Sequence, residues 1–221
     1  MARPRLVFIN TSGSPRHLQS FRCWTSDWTA AFDVHLQSNR QLSPAWSAAL
    51  QAVPARARSL SVTATDDGHQ RGAIRAFKDA RARFERYEWV VRLNPDVQVL
   101  YPEAFLKWME IRGLVAVLAN CNPDTVCAFR SDCPGALAHS DFQVFRPSAV
   151  NWTAGTARNA EAHATQVFRA AFSRTWWLQP RGFRDRSCRV RAGVREGLPT
   201  VVHHASHTFN CSRRVLDLTA L

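Results

Sequence analysis

Lysine is almost missing from this chain. Of its 29 basic residues only Lys78 and Lys107 are lysines, and with 17 acidic residues the formal charge is +12. A module that grips nucleic acid concentrates such charge in a patch or stripe. Here the arginines are scattered, as at Arg71, Arg75, Arg81, Arg83 and Arg86. Arginine-rich composition with solvated charge is the plainer reading, and no nucleic-acid partner is expected. No run approaches the roughly 18 apolar residues of a spanning helix, and "MARPRLVFINTSGSPRH" shows no signal peptide. Six cysteines are too few for a disulfide scaffold, and the three in "CNPDTVCAFRSDC" are spaced too widely for a zinc clip. Neither G-x-G-x-x-G nor G-x-x-x-x-G-K-[ST] occurs, so a dinucleotide fingerprint and a P-loop are unsupported. Three N-x-S/T sequences, at Asn10, Asn151 and Asn210, leave localisation open between the cytoplasm and a secretory lumen.

What is present is an apolar fraction of 46% over 221 residues, enough for a substantial core. Arg5 to Ile9 reads as a first strand that breaks at Asn10-Thr11-Ser12-Gly13-Ser14-Pro15. A helix is expected from His17 to Ala31, a strand from Phe32 to Leu36, a short helix from Pro44 to Ala52 and a strand from Ser59 to Ala64. After the turn Asp66-Asp67-Gly68, Ile74, Phe77, Ala80 and Phe84 recur at helical steps. Tyr87 to Leu93 is a buried strand that Asn94-Pro95-Asp96 must end, because proline cannot donate to a ladder. A helix near Pro102 to Ile111, strands at Leu114 to Leu118 and His139 to Pro147, and a capped helix from Asn159 follow, then an arginine-rich loop past Trp176-Trp177.

Strands alternating with helices predict an α/β fold with a mainly parallel sheet in one domain, 1–221, of two lobes. The loops after such strands converge at one edge, where ligands dock. Asp96 can hold a divalent cation there, with His203 after the late strand Thr200-Val201-Val202 as a second ligand. Asp141 and Glu161, both at element starts, are the carboxylates placed for general-base work, and His139 and His163 could orient hydroxyls. The eight tryptophans fit core packing better than sugar stacking.

The segments "GHQRGAIRAFKDARARFERYEWVVRLNPDVQV", "HSDFQVFRPSAV", "NAEAHATQVF" and "VVHH" together resemble glycosyltransferase-like domains of algae and large algal viruses, over Gly68 to His204. The resemblance implies a GT-A-like fold, with residues 1–100 as the nucleotide-sugar-binding half and 101–221 as the acceptor half and C-terminal segment, a nucleotide-diphosphate sugar as donor, Mn²⁺ or Mg²⁺ as cofactor, and a glycan or other hydroxyl acceptor. It places Asn94-Pro95-Asp96 where such enzymes carry a D-x-D, with Asp96 on the metal, and makes Glu161 the first choice of base and Asp141 the second. Asn10, Asp66, Arg71, Arg92 and Asn94 are then expected around the donor. Asn94 departs from the pattern by replacing the first aspartate. That departure motivates two other classes, a non-catalytic carbohydrate- or nucleotide-binding relic and, from the charge, a basic nucleic-acid module.

Overall fold

The computed structural model describes residues 4–22, 24, 27–63, 67–99, 102–122, 125, 135–178, 191–195 and 198–203. The apolar runs become a seven-stranded sheet in the order β3-β2-β1-β4-β7-β6-β8. β1 (Arg5–Thr11), β2 (Asp33–Ser38), β3 (Ala57–Val62), β4 (Trp89–Leu93), β6 (Ala116–Asn120) and β8 (Thr175–Leu178) run one way. β7 (Ala138–Phe145) runs against its neighbours β4 and β6. The expectation of a mainly parallel sheet is met, with one reversed strand.

Both faces of the sheet are covered, so its central strands β4 and β6 are buried along their whole length and mostly apolar. On one face α1 (Pro15–Phe21), α2 (Pro44–Ala52) and α5 (Pro102–Glu110) contribute Phe21, Trp46, Leu50 and Trp108 against Val7, Ile9, Val91 and Phe142. On the other, α3 (Gly68–Asp79), α4 (Arg81–Phe84) and α6 (Ala160–Phe168) bring Phe77, Phe84 and Phe168 against Phe8, Val90 and Phe145. The edge strand β3 is different. It leaves Leu60 and Val62 exposed at 41% and 37%, since among the described residues no strand pairs with its outer edge.

Two elements depart from expectation. The helix foreseen from His17 to Ala31 is α1, ending at Phe21, followed by a short 3₁₀ turn at Asp27–Ala31. Aromatic residues at steps of three and four mimic one helix, and the rings of Phe21, Trp24, Trp28 and Phe32 do touch in sequence, edge-on or tilted. Yet Trp24 turns its indole N–H to the carbonyl of Pro95, 3.3 Å away, which pulls the chain out of helical register. The second departure is β8, where Thr-Trp-Trp-Leu forms a strand that was not foreseen, just before the segment expected as an arginine-rich loop. Its Trp177 packs at right angles to Phe172, and its neighbour Trp176 lies on Trp108.

Beyond β4 the chain turns at Asn94, whose carbonyl accepts from the N–H of Val97 at 3.0 Å, and leaves the main sheet as β5 (Val97–Val99). β5 joins β9 (Arg191–Arg195) and β10 (Leu198–His203) in a small antiparallel sheet ordered β5-β10-β9. β9 falls in the segment read as an arginine-rich loop. No helix among the described residues is long and apolar enough to cross a membrane.

Candidate functional site

The C-terminal ends of β1 and β4 and the start of the reversed strand β7 meet at one edge of the sheet, and two polar clusters form there. The first lies between β1 and the turn after β4. The Ser14 hydroxyl accepts from the N–H of His17 and Pro15 fills the first helical position, so α1 begins where the β1 loop ends and His17 sits one turn in. Its Nδ1 is 3.1 Å from the hydroxyl of Thr11, the last residue of β1, and that oxygen also accepts from the N–H of Gly13. The other ring nitrogen, Nε2, stands 3.8 Å from Oδ2 of Asp96. Asp96 has no solvent-accessible surface. Burying a carboxylate is costly unless a cation or donors compensate it.

The second cluster surrounds β7. Its ladder to β6 is irregular between the pairs Leu118↔Gln143 and Asn120↔Ala138. Such irregularities re-aim side chains beside functional sites. Alternation would keep Ser140 on the face of Phe142, away from α6, but Ser140 instead reaches α6 and donates to Glu161 Oε1 at 2.7 Å, with Asp141 Oδ1 at 3.1 Å. One hydroxyl proton thus lies between two carboxylates. Side chains take up the backbone groups that the irregularity releases: His139 Nδ1 accepts from the N–H of Asp141, and Gln143 donates to the carbonyl of His139. Glu161 is held in the first turn of α6, which Asn159 caps by accepting from Ala162 N–H at 2.9 Å. Gln70 of α3 accepts from Ala160 N–H at 2.5 Å.

Arg92 lies beneath this second cluster. It is only 2% exposed and points to the α3/α6 face, opposite Gln143 in register, with its guanidinium 5.8 Å from the Phe77 ring. Burial lowers its pKa to about 10, and the nearby charges of Asp141 and Glu161 act in the other direction. It therefore remains a cation at neutral pH. Arg92, Ser140, Gln143 and His163 line a cavity of about 10 Å³, room for one water. Burial, then Lys78 and Arg92, lower the His163 pKa to about 4, so its ring is neutral.

The expected residues are distributed as follows. Asn94, Asp96, Asp141 and Glu161 come to the one edge, and a backbone hydrogen bond from Asn94 N–H to the Asp141 carbonyl, 3.1 Å, joins the two clusters. Asn10 is buried near the end of β1, and Arg71 is exposed in the first turn of α3. Arg92, His139 and His163 are buried below the edge. His203 lies on β10, whose backbone register sets it opposite Val97, next to Asp96 in sequence. Asp66 lies outside the described residues. Sequence reading missed His17, Thr11, Ser140 and Gln143. The signal for His17 was its place one turn into a helix that Ser14-Pro15 starts at a strand end.

A divalent cation at this site would find Asp96 and His17 as adjacent side-chain donors. Oxygen and nitrogen ligands at roughly 2.1 Å from one ion stand about 3 Å apart at right angles, so the 3.8 Å pair needs to close by less than an ångström. No group of three or more His, Cys, Asp or Glu side chains able to hold a metal occurs among the described residues. The donor set fits an ion that takes most of its ligands from a substrate's phosphates and from water.

No family model matches the chain, and no curated protein matches it in sequence. Solved structures match it in shape. Glucosyl-3-phosphoglycerate synthase from Mycobacterium tuberculosis, in complex with Mn²⁺, UDP-glucose and glycerol 3-phosphate, superposes with a TM-score of 0.53 at 12% identity, over 80% of this chain and 70% of that one. TarS from S. aureus in complex with UDP-GlcNAc gives 0.51 at 11% identity over 83% of this chain, which spans 60% of the TarS chain. These are glycosyltransferases of the GT-A fold, and a likeness at such identities carries architecture alone. With its reversed strand β7, its turn after β4 and its covered sheet, the chain has the GT-A fold.

Proposed function

We propose that this protein is a glycosyltransferase that moves a sugar from a nucleotide-diphosphate donor to an acceptor hydroxyl, inverting the anomeric centre. One observation carries the reading. The hydrogen bond from Asn94 to Asp141 sets the carboxylate of the β4 turn beside the Asp141–Ser140–Glu161 cluster, at the ligand-binding edge of a GT-A sheet. The resemblance of its motifs to those of algal and viral glycosyltransferase-like domains agrees with this reading.

Mn²⁺ or Mg²⁺ held at Asp96, with His17 or His203, would supply neutralisation of the charge that develops on the departing diphosphate. The chain's own residues do the rest. Arg71, exposed beside the edge, is free to meet phosphate oxygens, while Asn10 and Asn94 border the donor. Glu161 takes the proton of the acceptor hydroxyl as that oxygen attacks the anomeric carbon. Ser140 fixes Glu161 Oε1, and the buried Arg92 cation lies beneath the two carboxylates. A single base opposite the leaving group inverts the centre, and a retained configuration in the product rejects that step.

The experiment is a thermal-shift series with UDP, GDP and their sugars, with and without Mn²⁺, repeated on Asp96→Ala, with product analysis of the sugar nucleotide that shifts most. The expected result is a metal-dependent rise in Tm with one nucleotide class, lost in the variant, and transfer or hydrolysis of its sugar. No shift with any nucleotide overturns the proposal. Asn94, in place of an acidic first position, favours one alternative, a nucleotide-binding domain that no longer transfers. A shift without turnover is its signature.

A further inference from the structure

The three N-x-S/T sequences separate once the chain is folded. Asn10 lies inside the sheet on β1, buried and level with Gln37 of β2, so a folded chain does not offer its amide. Asn210 lies outside the described residues. Asn151 is exposed, on the turn that follows β7 and the 3₁₀ turn Pro147–Ala149.

That turn is held firmly and points its acceptor outward. Asn151 N–H donates to the carbonyl of Val167 at 2.7 Å, near the end of α6. Trp152 turns inward on Phe77 and Phe84, with ring centroids 5.3 and 6.2 Å away, and Arg81 covers it from outside at 5.6 Å. The residues on either side of it therefore face solvent, and they are the two members of the acceptor pair. The Thr153 hydroxyl donates to Asn151 Oδ1 at 2.8 Å and the Thr153 N–H to the same oxygen at 3.2 Å. This is an Asx turn, with amide and hydroxyl on one exposed side. A second observation points to the compartment in which such sequences are modified: Cys121 is disulfide-bonded, and disulfides persist where the surroundings are oxidising.

We propose that Asn151 carries an N-linked oligosaccharide, attached in the lumen of a secretory pathway. The donor is an oligosaccharide linked through a diphosphate to a lipid. A bond forms between Asn151 Nδ2 and the anomeric carbon, the bond from that carbon to the diphosphate oxygen breaks, the electron pair leaves with the lipid diphosphate, and the amide loses one proton to the transferring enzyme. The glycan stands well away from the candidate active site. α6 has Glu161 in its first turn and Val167 near its end, so Asn151 lies at the opposite edge of the sheet from the two carboxylates.

The test is expression of the full chain in the secretory lumen of insect cells, followed by mass spectrometry of the peptide that contains Asn151, before and after enzymatic removal of N-glycans in heavy-oxygen water. The expected result is a glycan on Asn151, marked as heavy aspartate after release, and an unmodified Asn10 peptide from the same folded protein. Thr153→Ser keeps the modification, whereas Thr153→Ala and Asn151→Gln lose it while the folded protein is still secreted. An unmodified Asn151 peptide in secreted wild-type protein overturns the proposal, as does a glycan on Asn10 in the folded fraction.

Discussion

Lowering the pH from 7 to 5 should destabilise this fold through two histidines that it buries in their neutral form. His35, 1% exposed on β2, stacks on Phe8 at 5.6 Å and places its ring nitrogens 2.8 Å from the hydroxyls of Ser59 and Ser61. Burial, reinforced by Arg83, lowers its pKa from 6.5 to about 4, and His163 is lowered to the same value by burial with Lys78 and Arg92. Both folded-state values lie below the unfolded one. Below pH 6.5 the unfolded chain therefore takes up protons that the folded chain refuses, and stability falls with pH until the folded histidines titrate near pH 4. At pH 7 the folded histidines are neutral and only about a quarter of the unfolded ones are charged, so the contribution is about 0.2 kcal/mol for each. At pH 5 the linkage amounts to about 2 kcal/mol for each histidine, or about 4 kcal/mol together, a large share of the 5–15 kcal/mol that stabilises a domain. Urea unfolding followed by tryptophan fluorescence at pH 7 and pH 5 measures this, and His35→Phe separates the two sites. Phenylalanine keeps the stack on Phe8, and the serines it abandons are near the surface at the edge strand. The variant should lose only about half as much stability over this interval as the wild type. Equal pH dependence in the two proteins would refute the assignment to His35.

Ser140→Ala removes the donor from Glu161 and Asp141. A hydrogen bond to a charged group is worth about 1.5–3 kcal/mol, so kcat should drop roughly ten- to a hundredfold with the nucleotide-induced Tm shift intact. An unchanged kcat would show that the hydroxyl does not position the base. Gly155→Ala drives a methyl group into the buried ring of His163, and it should cost about 1–3 kcal/mol in urea unfolding, since the ring is already wedged edge-on against Phe77. A loss below about 0.5 kcal/mol would mean that the ring has room to move.

The alternating apolar segments carried most of the architecture. α2 at Pro44–Ala52 and the cap of α6 at Asn159 follow from local chemistry, proline at the first position and an asparagine oxygen on the first turn, and the structure keeps both. Arg92 could also have been placed: within Trp-Val-Val-Arg-Leu it shares a face with Val90, and a helix covers that face. What local chemistry could not show is where long-range contacts override it. Ser140 faces α6 only because β7 slips against β6, and no residue type in His-Ser-Asp-Phe announces the slip. His17 meets Asp96 across most of the first hundred residues, a pairing that only the adjacency of β1 and β4 creates. Trp24 was hidden for the same reason, its helical spacing being real and its partner, Pro95, distant.

The pairing of β10 with β5 bears on when the site comes into being during synthesis. β1 to β4 and the turn bearing Asp96 leave the ribosome together, and their parallel ladders can form at once. The strand that pairs with β5 is made some hundred residues later, so its ladder closes over one of the longest sequence separations in the molecule. A nascent chain therefore holds an assembled main sheet before the small sheet beside the donor turn exists. Ribosomal products that stop before β9 would be folded proteins with an unfinished donor side.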